Sequence, residues 1–316
     1  MKTVAQILPS PRVRDSAAGE MCLGRRGFDA LAVLGLWHLT SLDAPTVAVV
    51  WALGFAWAEG VRLPGWIPAL LALGAWAVYV FDRLLDVRGA LRSGDLGGLR
   101  ERHRFHHRHR RVLVPLGVAA ALAAAALVLT LMPAAARDRN SVLAVAALVY
   151  FTRVHSAGQP EGARRPLLFR KELLVGVLFT AGCALPALSR AFTQSGVRWG
   201  PFAAVVVFFA LLAWLNCHAI DRWERGPGQG EAGIWHRGVF AIGVLLACAG
   251  GAVAAGISSV APRAAELLLA GVASALLLAQ LDRRRDRMMP LTLRALADVV
   301  LLTPLVLLVP FELLPR

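Results

Sequence analysis

Charged residues are scarce in this sequence: they make up 17% of the 316 residues, whereas soluble domains carry about 25%. Because 57% of the residues are hydrophobic and the mean hydropathy is +0.60, an ordinary soluble domain is excluded. Cysteine is scarce as well. The four cysteines are scattered and form no CxxC pair, so they indicate neither a disulfide framework nor a redox compartment. The sequence is therefore that of an integral membrane protein.

The first 26 residues lack the short apolar segment and small-residue cleavage site of a secretory signal. They are polar and basic, and we interpret residues 1–26 as a cytoplasmic N-terminal tail. No composition shift marks a soluble domain later in the chain, so residues 27–316 are expected to form a single transmembrane helical domain.

Apolar segments of about 20 residues, the length that crosses a bilayer core, recur along the whole chain. The nine candidates are residues 38–58, 66–85, 112–133, 141–155, 169–189, 199–220, 235–257, 261–281 and 291–312. The largely apolar stretch 27–40 is either an interfacial helix or part of the first span. The fold class predicted is an all-α, polytopic membrane protein, a bundle of about nine transmembrane helices.

Basic residues are distributed unevenly between the predicted loops. With a cytoplasmic N-terminus, 27 of the 34 Lys and Arg residues fall on the inside. This bias predicts nine spans in a cell membrane, with the N-terminus inside and the C-terminus outside. The second and sixth spans then both end on the cytoplasmic side.

Two acidic pairs stand at the ends of these two spans. Asp82 and Asp86 are four residues apart and share one face of a helix, and Asp221 and Glu224 follow the sixth apolar run. Carboxylates at a membrane edge suit Mg²⁺ bound to a polyphosphate. The alternative is structural: Asp82 pairs with a neighbouring arginine, and the second pair belongs to a capped, salt-bridged helix end.

Two further features near these pairs have open interpretations. Asn216 is an amide within the sixth span. In one interpretation it binds a metal or a headgroup, and in the other it forms an interhelical hydrogen bond. The aromatic residues Tyr79, Trp76 and Trp223 line a cavity for an isoprenoid tail, or belong to the aromatic belt at the interface.

Residues 100–111 form the most unusual run, with six arginines and four histidines that we interpret as a loop. Arginines such as Arg104 and Arg108 can hold substrate phosphates through bidentate contacts. The run can also bind anionic lipid headgroups, or its histidines can hold a transition metal or a haem. Nucleic acid is not an expected partner, because the run is short and has a single aromatic residue.

The predicted helices and the acidic motifs resemble the UbiA-type membrane prenyltransferase superfamily. The first family motif is NDxxDxxxD; Asp82 and Asp86 match its second and third aspartates, while Val78 and Tyr79 stand in place of Asn-Asp. Asp221 is similar to the start of the second motif, commonly DxxxD, although its acidic partner comes one residue early.

The resemblance implies Mg²⁺-dependent transfer of a prenyl group from a polyprenyl diphosphate to a lipophilic acceptor in the membrane. Lys171, which opens the fifth predicted helix, is similar to a family lysine that contacts diphosphate. The expected catalytic residues are Asp82, Asp86, Asp221 and Lys171, and the expected metal ligands are Asp82, Asp86, Asp221 and Glu224. The expected substrate contacts are Arg83, Lys171, Asn216, Arg222, Arg104, Arg108 and Tyr79.

The missing Asn-Asp leaves other outcomes open. Three alternatives to the activity of the family follow: binding of one metal instead of two, action on a monophosphate-linked lipid, and loss of catalysis. The main alternative function is a non-catalytic membrane protein that binds or transports an isoprenoid lipid. A structural membrane subunit is the third, and it predicts that neither acidic pair binds metal.

Overall fold

The computed structural model describes residues 25–94, 99–138, 140–142, 145, 149, 171–194, 196–225 and 238–313. Every regular element in these ranges is a helix, as the sequence predicts. The predicted tail lies outside the described residues, apart from the first two residues of the first helix. Most of the fourth predicted span, 141–155, also lies outside them.

Eleven helices with defined bounds follow in order along the described residues. They are α1 (Arg25–Leu39), α2 (Asp43–Ala58), α3 (Trp66–Ser93), α4 (Glu101–Arg108), α5 (Arg110–Leu131), α6 (Lys171–Gln194), α7 (Trp199–Arg225), α8 (Val239–Ile257), α9 (Pro262–Arg284), α10 (Pro290–Val299) and α11 (Leu305–Leu313). Within the described ranges, α3 and α5 to α9 are six helices long and apolar enough to cross a membrane. The protein is therefore a polytopic helical membrane protein.

The stretch before the first predicted span is a separate helix. α1 meets α2 at 89°, and the pair would count as one further, broken span. Ser41 makes the corner with a φ of 58°, in the left-handed region that residues with a Cβ seldom adopt. The Trp37 indole N–H donates to the Thr46 hydroxyl across the corner (3.2 Å). This corner buries His38 and Asp43 side by side.

The ninth predicted span, 291–312, is not one helix. α10 ends at Val299, a short 3₁₀ turn covers Val300–Leu302, and α11 begins only at Leu305. Pro304 cannot continue the preceding helix, because it lacks an N–H and its ring crowds the turn before it. At this break, the Thr303 hydroxyl donates a hydrogen bond to the Ala270 carbonyl on α9 (2.6 Å). A helix of ten residues rises about 15 Å, too little to cross a bilayer core alone.

The apolar core lies where α2, α6, α7, α8 and α9 pack together. Trp51 is fully buried, stacks on Phe209 with 3.8 Å between ring centroids, and donates its indole N–H to the Leu301 carbonyl (2.9 Å). The Phe208 ring fits against Gly250 and Gly271, where an added Cβ would lie 2.3 Å and 2.6 Å from it. These contacts fix the positions of the long helices relative to one another.

Candidate functional site

The basic run is a short helix, α4, and not a loop. Residues three or four apart share a helix face, so Arg102, His103 and His106 turn inward together and are buried. Arg104 and Arg108, the predicted phosphate contacts, lie on the exposed face. Helical periodicity within the run is the sequence signal that distinguishes the buried residues from the exposed arginines.

α4 joins the ends of the two helices that carry the acidic motifs. His103 Nε2 lies 3.4 Å from Asp86 Oδ2 at the end of α3, and Arg100 forms an ion pair with Glu224 at the end of α7. The two motifs therefore lie at the same end of the bundle. We call this region the charged end, formed by α4 and the adjoining ends of α3, α7 and α10.

Asp82, in the first motif, pairs with the arginine next to it. Arg83 Nη1 lies 3.2 Å from Asp82 Oδ2, and both side chains are mostly buried. The same guanidinium lies 5.5 Å from the centre of the Tyr79 ring, a cation–π distance. Tyr79 thus packs at this end of α3, and the Asp82–Arg83 pairing matches the structural alternative.

Glu224, in the second motif, lies between two arginines. Arg100 approaches it from α4 and Arg294 from α10. Asp221 and Arg222 are half-buried one turn earlier on α7. Lys171 is the first residue of α6, and its side chain lies outside the described part of the chain. The two ion pairs match a salt-bridged helix end.

Asn216 forms the interhelical hydrogen bond that one interpretation predicts. Its Nδ2 donates to Asp298 Oδ1 on α10 (3.2 Å). Asp298 in turn belongs to a compact cluster in which His38 Nδ1 lies 2.7 Å from Asp43 Oδ2 and 3.5 Å from Asp298 Oδ2. His38 and Asp43 are buried and Asp298 is nearly so, with 3%, 7% and 17% of their side chains exposed.

Histidine, cysteine, aspartate and glutamate are the side chains that can hold a metal ion. Among the described residues, His38, Asp43 and Asp298 are the only three of these types whose ligand atoms all lie within 4.8 Å of one another. The four predicted Mg²⁺ ligands do not form such a group. The sequence predicts no role for the cluster, because Asp298 lies 255 positions after Asp43 in the chain. The signal was a carboxylate, Asp298, inside an apolar segment, where an unpaired charge is costly.

Arg102 stands apart from the other arginines of the charged end. Only 8% of it is exposed, and it has no ion-pair partner within 4 Å among the residues that the structure describes. Burial and the nearby positive charge of Arg83 lower the pKa of Arg102 to about 9. The side chain is still a cation at neutral pH. A buried cation is costly without an anion beside it.

His106 is also buried, and burial keeps this histidine neutral at neutral pH. Its Nδ1–H donates to the Arg102 carbonyl (2.8 Å), which leaves Nε2 facing the Ser41 hydroxyl (3.4 Å). Burial lowers the pKa of His106 to about 4, and burial also lowers the pKa of His103 although Asp86 opposes the shift. Both ring nitrogens of His106 are engaged within the protein, so this histidine secures α4 to the α1–α2 corner.

Comparison of the chain with protein-family models, with curated proteins and with solved structures finds no match. The fold and the site nevertheless define a class: a polytopic helical membrane protein in which a basic helix turns a buried arginine inward and contacts two acidic motifs. The function is therefore inferred from the charged end itself.

Proposed function

We propose that the protein is an intramembrane prenyltransferase of the UbiA type, which transfers a prenyl group from a polyprenyl diphosphate to a lipophilic acceptor. Arg102 supports this proposal most directly. It is a buried cation that has no carboxylate within ion-pair distance among the described residues, and it lies on the helix that joins the two acidic motifs. A diphosphate would supply the negative charge that is missing beside it.

The arginines divide into two roles. Arg102 binds the diphosphate, and Arg83 lies near enough to assist. Arg100 and Arg294 are held by Glu224, so they position α4 and α10 around the substrate. Arg104 and Arg108 face outward, and we assign them to anionic lipid headgroups. The predicted contacts of Lys171 and Arg222 with the diphosphate remain part of the proposal.

The carboxylates at the ends of α3 and α7 are of the ligand type that Mg²⁺ prefers, although they do not form a compact group in the described structure. Asp82, Asp86 and Asp221 offer carboxylate oxygens, and Mg²⁺ prefers a few such ligands together with phosphate oxygens. Bound Mg²⁺ would neutralise charge on the departing pyrophosphate. The His103 ring lies 3.4 Å from Asp86, and the buried face of α4 would limit the access of water to the reacting carbon.

We place the charged end on the cytoplasmic side of a cell membrane, with nine spans and the N-terminus inside. The excess of Lys and Arg in the corresponding segments supports this orientation. A polyprenyl diphosphate would then present its headgroup at the cytoplasmic surface and its chain among the helices.

The second candidate is a non-catalytic protein that binds or transports an isoprenoid lipid. Two observations favour it: Val78 and Tyr79 replace the leading Asn-Asp of the family motif, and Asp82 is paired with Arg83. This candidate keeps Arg102 as the anion contact but needs no release of pyrophosphate.

The test uses purified protein in lipid nanodiscs with a labelled polyprenyl diphosphate, with and without Mg²⁺. Arg102→Gln is compared with Arg104→Gln, which removes the same charge from the opposite face of α4. We expect Mg²⁺-dependent binding and pyrophosphate release by the native protein, at least tenfold weaker binding by Arg102→Gln, and native behaviour from Arg104→Gln. Binding without release would establish the second candidate. Equal binding by both variants would overturn the assignment of Arg102.

A further inference from the structure

We propose that His38, Asp43 and Asp298 form a binding site for a divalent first-row transition metal, with Zn²⁺ as the closest match. The site lies where the α1–α2 corner meets α10. It uses none of the carboxylates proposed for Mg²⁺, and it does not depend on the proposed prenyl transfer.

The positions of the three ligand atoms suit one ion. His38 Nδ1 lies 2.7 Å and 3.5 Å from the two Oδ2 atoms, and all three ligand atoms lie within 4.8 Å of one another. Neighbouring ligands of a metal with bonds of about 2.1 Å lie roughly 3.0 to 3.4 Å apart. Because no two of these atoms are more than 4.8 Å apart, shifts of no more than about 1 Å per atom bring the nitrogen and both oxygens to one ion.

The carboxylates are already oriented for this purpose. The backbone N–H of Ala44 donates to Asp43 Oδ1 (2.9 Å), and Asn216 donates to Asp298 Oδ1 (3.2 Å). In both aspartates, the oxygen left over is the Oδ2 that faces His38. Hydrogen bonds that hold the far atom of each ligand are typical of metal sites, where outer partners orient the ligands.

His38 makes close ion-pair contacts with both aspartates, but its ring is poorly aligned for hydrogen bonds. It is buried, and neither of its ring nitrogens makes an aligned hydrogen bond to a described residue, although Nδ1 is 2.7 Å from a carboxylate oxygen. A buried polar atom without a hydrogen bond is costly. A metal ion would occupy the lone pair of Nδ1 and remove that cost for one of the two nitrogens.

Charge and ligand type select the ion. Two carboxylates with a neutral imidazole carry two negative charges, which a divalent cation balances, whereas a protonated His38 balances only one. Imidazole nitrogen together with carboxylate oxygen suits Zn²⁺, Mn²⁺ or Fe²⁺, while Mg²⁺ favours oxygen ligands alone. Three protein ligands leave a fourth position open for water or a substrate group.

The test measures metal directly. Purified protein is stripped with chelator, loaded with Zn²⁺ in the presence of excess Mg²⁺, and analysed for bound metal by mass spectrometry. We expect one Zn²⁺ per chain, at least a 100-fold loss of affinity in His38→Gln and Asp298→Asn, and a loss of about tenfold in Asn216→Ala, which removes only an outer partner. Asp86→Asn, at the other acidic site, should retain the native affinity.

Loading with Co²⁺ tests the same site in the native chain, so the result does not depend on whether a variant folds. Visible absorption bands of nitrogen and oxygen ligation without a thiolate band are expected. A thiolate band would place the ion on a cysteine and overturn the proposal. So would well-folded native protein that binds no Zn²⁺, retention of Zn²⁺ by both ligand variants, or its loss in Asp86→Asn.

Discussion

Asn216 on α7 and Asp298 on α10 are joined by a hydrogen bond of 3.2 Å between Nδ2 and Oδ1, 82 positions apart in the chain. Asn216→Ala leaves a mostly buried carboxylate oxygen without this donor, which costs about 1–3 kcal/mol. We expect the free energy of unfolding in mixed micelles to fall by that amount. Ser258→Ala removes an exposed hydroxyl with only a local bond and should have no effect. Equal stability of the two variants would contradict a structural role for the Asn216 bond.

The buried histidines of α4 predict that acid destabilises the protein. Because burial lowers the pKa of His106 to about 4, the unfolded chain binds more protons than the folded one between about pH 4 and 6.5. Stability should therefore be fully present above pH 6.5 and fall as the pH drops towards 4. Arg83 and Arg102, together with His103 once it is protonated, also oppose the protonation of His106.

The measurement is the unfolding temperature in detergent from pH 7.5 to 4.5. His106→Gln removes the titrating group and should flatten the slope, whereas His109→Gln, on the exposed face, should keep the native slope. A steeper loss in His106→Gln than in the native chain would show that other groups control the acid transition.

The long apolar helices follow directly from the sequence, and the breaks between them do not. The segments predicted from hydropathy at 66–85, 199–220 and 261–281 correspond to α3, α7 and α9, each of which continues beyond the apolar run into charged residues. Hydropathy marks only where a helix contacts lipid. It gives no sign of the Ser41 corner, which depends on one left-handed residue and on side-chain packing.

The site was predictable only in its outline. The sequence places the two acidic motifs at the same end of the bundle, and the contacts of α4 with both motifs agree with this. The pairing of Glu224 with Arg100 and Arg294 joins three helices, and a single sequence carries no information on such distant contacts. The inward face of α4 was missed because its dense charge resembled a solvated loop, although the spacing of Arg102 and His106 is helical.

The Phe208 ring predicts a sharp contrast between two adjacent glycines of α8. Gly250→Ala would place a Cβ 2.3 Å from Phe208 and 2.9 Å from Val272, so the helices must separate. We expect a loss of about 1–3 kcal/mol from overpacking. Gly251→Ala meets nothing within 4 Å and is the matched control. Thermal unfolding in detergent compares the two, and an equal effect would mean that Phe208 can move aside.

Trp51 connects the core to the turn that ends α10. Trp51→Phe keeps most of the stacking on Phe209 but removes the donor to the Leu301 carbonyl (2.9 Å). Leaving that buried carbonyl without a partner costs about 1–3 kcal/mol. The expected result is a lower unfolding temperature. Phe55→Leu, which disturbs the same cluster without touching a hydrogen bond, separates loss of the bond from loss of packing.

Replacing either of two arginines of the charged end by methionine should change the unfolding temperature, but in opposite directions. Arg102 has no counter-ion among the described residues, so Arg102→Met removes an uncompensated charge and should raise the unfolding temperature of the ligand-free protein. Arg294→Met takes a partner from Glu224 and should lower it, because breaking a buried ion pair costs about 3–5 kcal/mol. Adding pyrophosphate with Mg²⁺ should then stabilise the native chain, since the ligand supplies the missing anion. It should leave Arg102→Met unchanged. Destabilisation by both substitutions would mean that Arg102 already has its counter-charge within the protein, and the diphosphate would have to bind elsewhere.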